Sequence, residues 1–417
     1  LPTHYDAETE GFHVGQEASQ PPLYHILGAA WIRVWGLSRA ALPIAPMPDK
    51  VVACGPSDTF YNKATWVHDP YRVVSSTRYL RQDPMFTLHM LRLFSTLLQV
   101  ATLLGTWTLA RRAFPPDGVY PRMLPAFVTA IVVFNPQFLL VAAGVNNDNL
   151  ITPLATWALV LAFDLASSAT SNSSEPSKLG CAGKREYSVL GVSRFGVRLI
   201  LYGVLSGLAA LSKLSGLGLI GLGGVILLAR AWRLQRPGRE RISFRDLLGW
   251  VVLMLVPVLL IVTPWIIRNL RLYGDPTALT PMLDIVGRRT PPPVFSEVRL
   301  MLLSYWGQLP CSFYPRAIYW PYLLLMAGGA VGLLVEIRAR WVDSRHGGGL
   351  RSNTSRRVLN ALGVAAYWFL IILVAWMRWN SITPAPGGRL LFPASAGVAL
   401  LLAVGWHGLV RVVCNFW

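Results

Sequence analysis

The residues of this chain whose types suit chemistry are a few cations, amides and carboxylates at the ends of long apolar segments. Arg268 and Arg271, within Pro264-Trp-Ile-Ile-Arg-Asn-Leu-Arg-Leu-Tyr-Gly-Asp-Pro276, lie one helical turn apart and share a face. Arg389 opens another segment in Gly387-Gly-Arg-Leu-Leu-Phe-Pro393, and Lys213 marks a further helix end in Leu-Ser-Lys-Leu-Ser. A guanidinium fork matches phosphate oxygens, so Arg268, Arg389 and Lys213 are candidates for a clamp on a lipid phosphate. Snorkelling of long basic side chains to headgroups accounts for the same placement.

Two further segments supply acids and amides. In Gln16-Glu-Ala-Ser-Gln-Pro-Pro-Leu-Tyr24 the proline pair suits the first turn of a helix and would hold Glu17 just above a membrane surface. The plainer reading is a helix N-cap and start. Asn146-Asn-Asp-Asn149 places three amides and a carboxylate between two apolar segments, where an Asx side chain can cap the next helix. Just before it, Asn135 and Gln137 fall within an apolar run, where polar groups are costly and tend to face a cavity. Gln20, Tyr24, Asn146, Asn147, Asp148 and Arg271 are therefore read as lining a polar vestibule. Glu17 and Asp148 could bind a divalent metal, but two acids with no fixed spacing define no metal site, and no other cofactor is implied.

The elements that must position these residues follow from composition. Of 417 residues 53% are hydrophobic and 14% charged, with a mean hydropathy of +0.45. A soluble domain carries about 25% charged residues, so the chain is an integral membrane protein. Nine apolar runs suit membrane-crossing helices: 87–110, 123–143, 149–166, 198–213, 216–231, 247–266, 317–335, 358–377 and 391–413. A shorter piece, 23–37, is interrupted by Arg33 and reads as an interfacial helix with Trp31 and Trp35 at headgroup depth.

The 38 bases against 20 acids give +18, and their location decides what that means. Loops 111–122, 167–198, 230–246 and 336–357 hold about 20 of the bases and alternate as cytoplasmic loops should. A nucleic-acid binder would collect its bases on one soluble face, so that class is set aside. The vestibule residues then fall on the outer side. Asp164 lies near the cytoplasmic end, placed to pair with a neighbouring base. Cys54, Cys181, Cys311 and Cys414 show no CxxC pair, which argues against a zinc ribbon or redox motif. Cys54 and Cys311 share the outer side, which allows a disulfide without requiring one. The expected architecture is all-α and polytopic, with about nine transmembrane helices, an interfacial helix and an outer cap. Its divisions are 1–86 (outer loop with interfacial helix), 87–266 (helices), 267–316 (outer loop) and 317–417 (helices). Because 87–110 must run inward, an earlier span is expected upstream of Leu1.

Taken together, Glu17-Ala-Ser-Gln-Pro-Pro-Leu-Tyr24, Asn146-Asn-Asp-Asn149, Arg268-Asn-Leu-Arg-Leu-Tyr-Gly-Asp-Pro276 and Gly388-Arg-Leu-Leu-Phe-Pro393 resemble multispanning GT-C glycosyltransferases. The likeness is to the bacterial branch related to protein mannosyltransferases and the aminoarabinose transferase of lipid A. Ser304-Tyr-Trp-Gly307 and Leu91-Arg-Leu93 fit the same pattern. The resemblance implies a cytoplasmic-membrane enzyme that moves a sugar from a polyprenyl-phosphate donor to an acceptor on the outer face. It also implies membrane lipids as neighbours, partner subunits of a membrane complex as an option, and no nucleic acid. Glu17 is then the catalytic acid among the residues present, and Arg268, Arg389 and Lys213 bind the donor phosphate. Gln16 stands where a His is expected and His25 where a second Tyr is. The leading acidic motif of the family is expected upstream of Leu1, with Asp6, Glu8 and Glu10 as substitutes. Two other classes remain open: an inactive accessory subunit that kept the fold, and a lipid-substrate transporter. The transporter is disfavoured because 87–231 and 247–413 show no repeat.

Overall fold

Apolar windows mark only hydrocarbon depth, and the helices that form around them continue further, into the headgroup layer. In a computed structural model, residues 20–38, 84–115, 120–168, 193–234, 243–290, 292, 295–307, 315–345 and 353–415 are described. Asp6, Glu8, Glu10, Glu17, Cys54, Cys181 and Cys311 lie outside them. The described residues form thirteen α-helices: α1 Leu23–Val34, α2 Pro84–Ala113, α3 Leu124–Val133, α4 Pro136–Ala142, α5 Asp148–Ser167, α6 Arg194–Ser212, α7 Gly218–Leu234, α8 Phe244–Tyr273, α9 Leu279–Val286, α10 Phe295–Trp306, α11 Arg316–Arg345, α12 Asn353–Ile382 and α13 Ser395–Asn415. Short 3-10 turns, Leu214–Leu217 and Gly388–Ala394, lead into α7 and α13. Helices α2, α8, α11 and α12 each run 30 residues, about 45 Å, the full thickness of a bilayer with its headgroups.

Among the described residues, eight helical segments are long and apolar enough to cross a membrane, and the pair α3 and α4 makes up to nine. The run 123–143 is thus not one straight helix. It breaks at Phe134-Asn-Pro, and the two halves are bent by 64°. Pro136 lacks the N–H that would continue α3, while the Asn135 side chain accepts from Phe138 N (3.0 Å) and caps α4 afresh. The other Asn135 group does not face a cavity: its Nδ2 donates to the Tyr305 carbonyl (3.0 Å) and docks α10 against the break.

Helix α5 is the hub. Two thirds of its apolar window (67%) is buried, against 17% for α11, most of whose apolar surface is left uncovered by the described residues. Leu159, Leu165, Tyr202, Leu222, Trp368 and Phe392 fill the core around it. Packing elsewhere relies on small residues, as membrane helices do where no hydrophobic effect drives association. A methyl group on Gly332 of α11 would lie 1.8 Å from the Gly405 carbonyl oxygen of α13, so these backbones touch.

The alternation of the spans gives the bundle two ends. One gathers Arg112, Asp164, Arg198, Arg233, Glu336 and Arg340, and we call it the basic end. The other gathers Gln20, Asn135, Asn147, Asp148, Lys213, Asn269, Asn380 and Gly388, and we call it the amide end.

Candidate functional site

At the amide end, segments far apart in sequence converge on the start of α5. Asp148 is 2% exposed and forms an ion pair with Lys213, which extends the C-terminus of α6. Asn147 is also buried, and its side-chain amide donates to Gln20 Oε1. Its carbonyl accepts weakly from Ser212 Oγ (3.4 Å). Tyr24, buried on the first turn of α1, pairs with Ser95 of α2 (2.7 Å), and its hydroxyl accepts from Asn146 N (3.1 Å). The Asn146 side chain accepts from Asp148 N (2.8 Å), so the Asx contact forms within the turn, one residue before the position expected of a cap. Gln20, Tyr24, Asn146, Asn147, Asp148 and Lys213 therefore belong to one connected set.

The remaining cations lie on other elements. Arg268 is half-buried near the end of α8, donates to Asn269 Oδ1 (3.2 Å) and lies 5.8 Å from the Tyr273 ring centre. Arg271, on the same helix, is exposed. Arg389 is exposed on the 3-10 turn before α13. Neither Arg271 nor Arg389 forms a hydrogen bond or ion pair among the described residues. Glu17 lies outside them, three residues before Gln20. At the basic end Asp164 pairs with Arg112.

The structure also holds polar residues that the sequence did not single out. Gln99 of α2 donates to Asn149 Oδ1 (2.8 Å) and accepts from Thr102 (3.0 Å). Asn149 in turn donates to the Val141 and Gly144 carbonyls at the end of α4 (2.9 and 2.8 Å), so this buried amide folds the α4–α5 turn. Arg289, just past α9, makes a two-pronged pair with Glu297 of α10 (2.9 and 3.0 Å) and reaches Asn380 of α12 (3.3 Å). Only 4% of the Arg289 side chain is exposed. Thr383 Oγ1 donating to the Gly287 carbonyl (2.8 Å) closes the same latch. Farther along α10, Ser304 Oγ accepts from Gly388 N (2.8 Å). A Cβ on Gly388 would lie 2.2 Å from the Met301 carbonyl oxygen and 2.3 Å from Tyr305 N, so only glycine permits this approach. The α9–α10 segment thereby fixes the turn that presents Arg389. A glutamate eight residues after an arginine in a loop carries no pattern, and Asn380 lies far off in sequence, so sequence reading had no signal for this latch.

Asp275 closes the α8–α9 connection. Burial works to raise its pKa, but hydrogen bonds from the backbone and hydroxyl groups of Thr277 and Thr280 outweigh this and hold it at about 2. Among the described residues, no three His, Cys, Asp or Glu side chains gather as metal ligands would.

No family model matches the chain, and no curated protein matches it in sequence. Solved structures do. ArnT from Cupriavidus metallidurans bound to undecaprenyl phosphate is 18% identical with a TM-score of 0.42, covering 81% of this chain and 50% of that one. Archaeal oligosaccharyltransferase AglB from Archaeoglobus fulgidus, in complex with an inhibitory peptide and a dolichol-phosphate, is 14% identical with a TM-score of 0.40, covering 82% and 42%. An Archaeoglobus fulgidus oligosaccharyltransferase tethered to an acceptor peptide is 13% identical with a TM-score of 0.38, covering 80% and 39%. The chain spans half or less of the length of each.

Proposed function

We propose that this chain is a GT-C-like membrane glycosyltransferase that moves a sugar from a polyprenyl-phosphate carrier to an acceptor hydroxyl at the amide end, on the outer face of the membrane. The observation that carries the reading is the connected set Gln20–Asn147 and Asp148–Lys213, with exposed Arg271 and Arg389 at the same end. In such a transfer the anomeric carbon–oxygen bond to the carrier phosphate breaks and a bond to the acceptor oxygen forms. The acceptor proton passes to a carboxylate, and the departing phosphate gains negative charge. The reaction therefore needs a base beside the acceptor and cations beside the leaving group. Glu17, three residues from the anchored Gln20, supplies the base in this reading. Arg389, Arg268 and Arg271 receive the phosphate, and Lys213 acts through Asp148 by holding the α5 turn in place.

The test is transfer of a labelled sugar from a polyprenyl-phosphate donor by the full chain in nanodiscs. Glu17→Gln and Arg389→Ala should each lower turnover by about a hundredfold, the range expected for loss of an acid–base group or a charge-stabilising donor. Folding is checked by thermal unfolding of the same samples. Wild-type transfer that both variants retain would sink the site assignment. A second reading is favoured by one observation: Asp148 already neutralises Lys213, as in a scaffold with no donor to hold. An accessory subunit of this kind would bind no donor and transfer nothing, while co-purifying with a partner chain.

A further inference from the structure

Several arginines of the basic end have polar partners. Arg112 meets Asp164, Arg198 donates to Ser168 Oγ (3.0 Å), Arg233 reaches the Ala166 carbonyl and Asn360 (both 3.3 Å), and Arg340 clasps Glu336. Arg230, in the last two turns of α7, is different. Its guanidinium carbon lies 4.0 Å from the centre of the Phe195 ring on α6 and 5.3 Å from that of Trp250 on α8. The two rings meet edge to face at 5.1 Å, forming a two-sided cage. Within it Nε and Nη1 are buried with no hydrogen-bond acceptor, and no carboxylate pairs with the charge among the described residues.

Aromatic faces orient a cation and attract it, but they do not neutralise it. A desolvated guanidinium with unmet donors is costly unless an anion completes it. The C-terminus of α7 offers a partial negative charge. The N-termini of α6 and α8, which supply Phe195 and Trp250 from their first two turns, bring partial positive charges that oppose it. The acid nearest in sequence to Trp250, Asp246, is exposed and committed to Ser243 N (3.2 Å) in a capping box. Arg230 as a whole is only half-buried, so the guanidinium keeps an edge toward the surface. Phe244 and Leu248, on the first turns of α8, are 77% and 50% exposed, an apolar flank beside a charge at helix-end depth.

We propose that Arg230, held in the Phe195–Trp250 cage, binds the phosphate of an anionic membrane lipid whose acyl chains lie along the exposed apolar start of α8. Basic pockets between helix ends are suited to acidic headgroups, and here a caged guanidinium with no acceptor among the described residues supplies the specific contact. The site sits at the end of the bundle opposite the candidate transfer site, so its failure would leave that proposal standing.

The experiment reconstitutes the full chain in nanodiscs of phosphatidylglycerol and phosphatidylcholine, extracts it gently and counts retained lipids by native mass spectrometry. The wild type should keep phosphatidylglycerol in preference to phosphatidylcholine. Arg230→Gln should lower that retention by about tenfold, the loss of one charge-assisted hydrogen bond. Trp250→Leu, which leaves the charge and opens the cage, should weaken retention less and keeps the test decisive if Arg230→Gln does not fold. Arg357→Gln, an exposed arginine of α12, should change nothing. Millimolar inorganic phosphate should not displace the lipid; displacement would reassign the site to a free anion. Equal retention in wild type, Arg230→Gln and Trp250→Leu, or equal retention of the two lipids, overturns the proposal.

Discussion

The two ends of this bundle differ in where their polar groups meet breaks in the backbone. At the basic end, charged side chains reach across finished helices: Glu336 accepts from Arg340 one turn later and from Tyr120 (3.0 Å), and Arg112 meets Asp164. These contacts fasten helix ends without changing where a helix starts or stops. At the amide end, polar groups shape the backbone itself. Asn135 restarts a broken helix, Asn149 folds the α4–α5 turn, and Ser304 takes the N–H of Gly388 where α13 begins. Irregular backbone at membrane depth survives only where its polar groups are met internally. At this end buried side chains meet those groups directly.

The largest effect should come from forcing the amide end apart. Gly388→Ala places a Cβ against two backbone atoms that cannot turn aside, and should destabilise the chain by about 3 kcal/mol, the upper range for overpacking. The readout is the thermal midpoint in detergent. Unchanged stability would mean that the turn is not locked to α10. Next is the buried pair. Asp148 is 2% exposed and Lys213 22%, so removing the lysine strands the more deeply buried charge. Lys213→Met should cost about 3 kcal/mol and exceed Asp148→Asn, with both lowering transfer. The reverse order would break the argument.

Glu336→Gln sharpens the contrast from the other side. It should lower the unfolding midpoint by weakening the clasp on Tyr120 and Arg340, while turnover by the folded fraction stays at the wild-type value. Glu297→Gln, which opens the Arg289 latch at the amide end, should lower turnover as well as stability by about 2 kcal/mol, the scale of a lost charged hydrogen bond. The smallest effect is in pH. The folded pKa of Asp275, about 2, lies below the unfolded value of about 3.9. Its contribution is therefore present above about pH 4 and lost as pH falls toward 2. Protection of the Thr277 and Thr280 amides, corrected for the intrinsic exchange rate at each pH, should fall over that window and stay constant in Asp275→Asn.

The nine apolar runs were legible because hydrocarbon thickness sets a minimum length for each, and hydropathy reports it directly. The paired Asp164 was legible for the same reason, as an acid within a run must find a base. The convergence of Gln20, Tyr24, Asn146, Asn147 and Asp148 was anticipated from their shared end, since topology alone brings span ends together. What topology does not give is pairing across an end. Lys213 was read as a cation for a ligand, and only the fold reveals that Asp148 holds it. The 64° break escaped because hydropathy reports the composition of a window and not the direction of its axis. Arg289, Glu297 and Asn380 were invisible because a latch between a loop and a helix end obeys no period.

The broken crossing also bears on the membrane around it. Helices α3 and α4 have 10 and 7 residues, about 15 and 10 Å, and the bend leaves them a combined reach of roughly 20 Å along the α3 axis. A hydrocarbon core is about 30 Å thick. A bilayer beside α4 would therefore meet an apolar wall shorter than its core, and thinning on that flank is one way to match it. The same break that docks α10 thus leaves this flank of the bundle with a shorter apolar reach than the unbroken helices beside it.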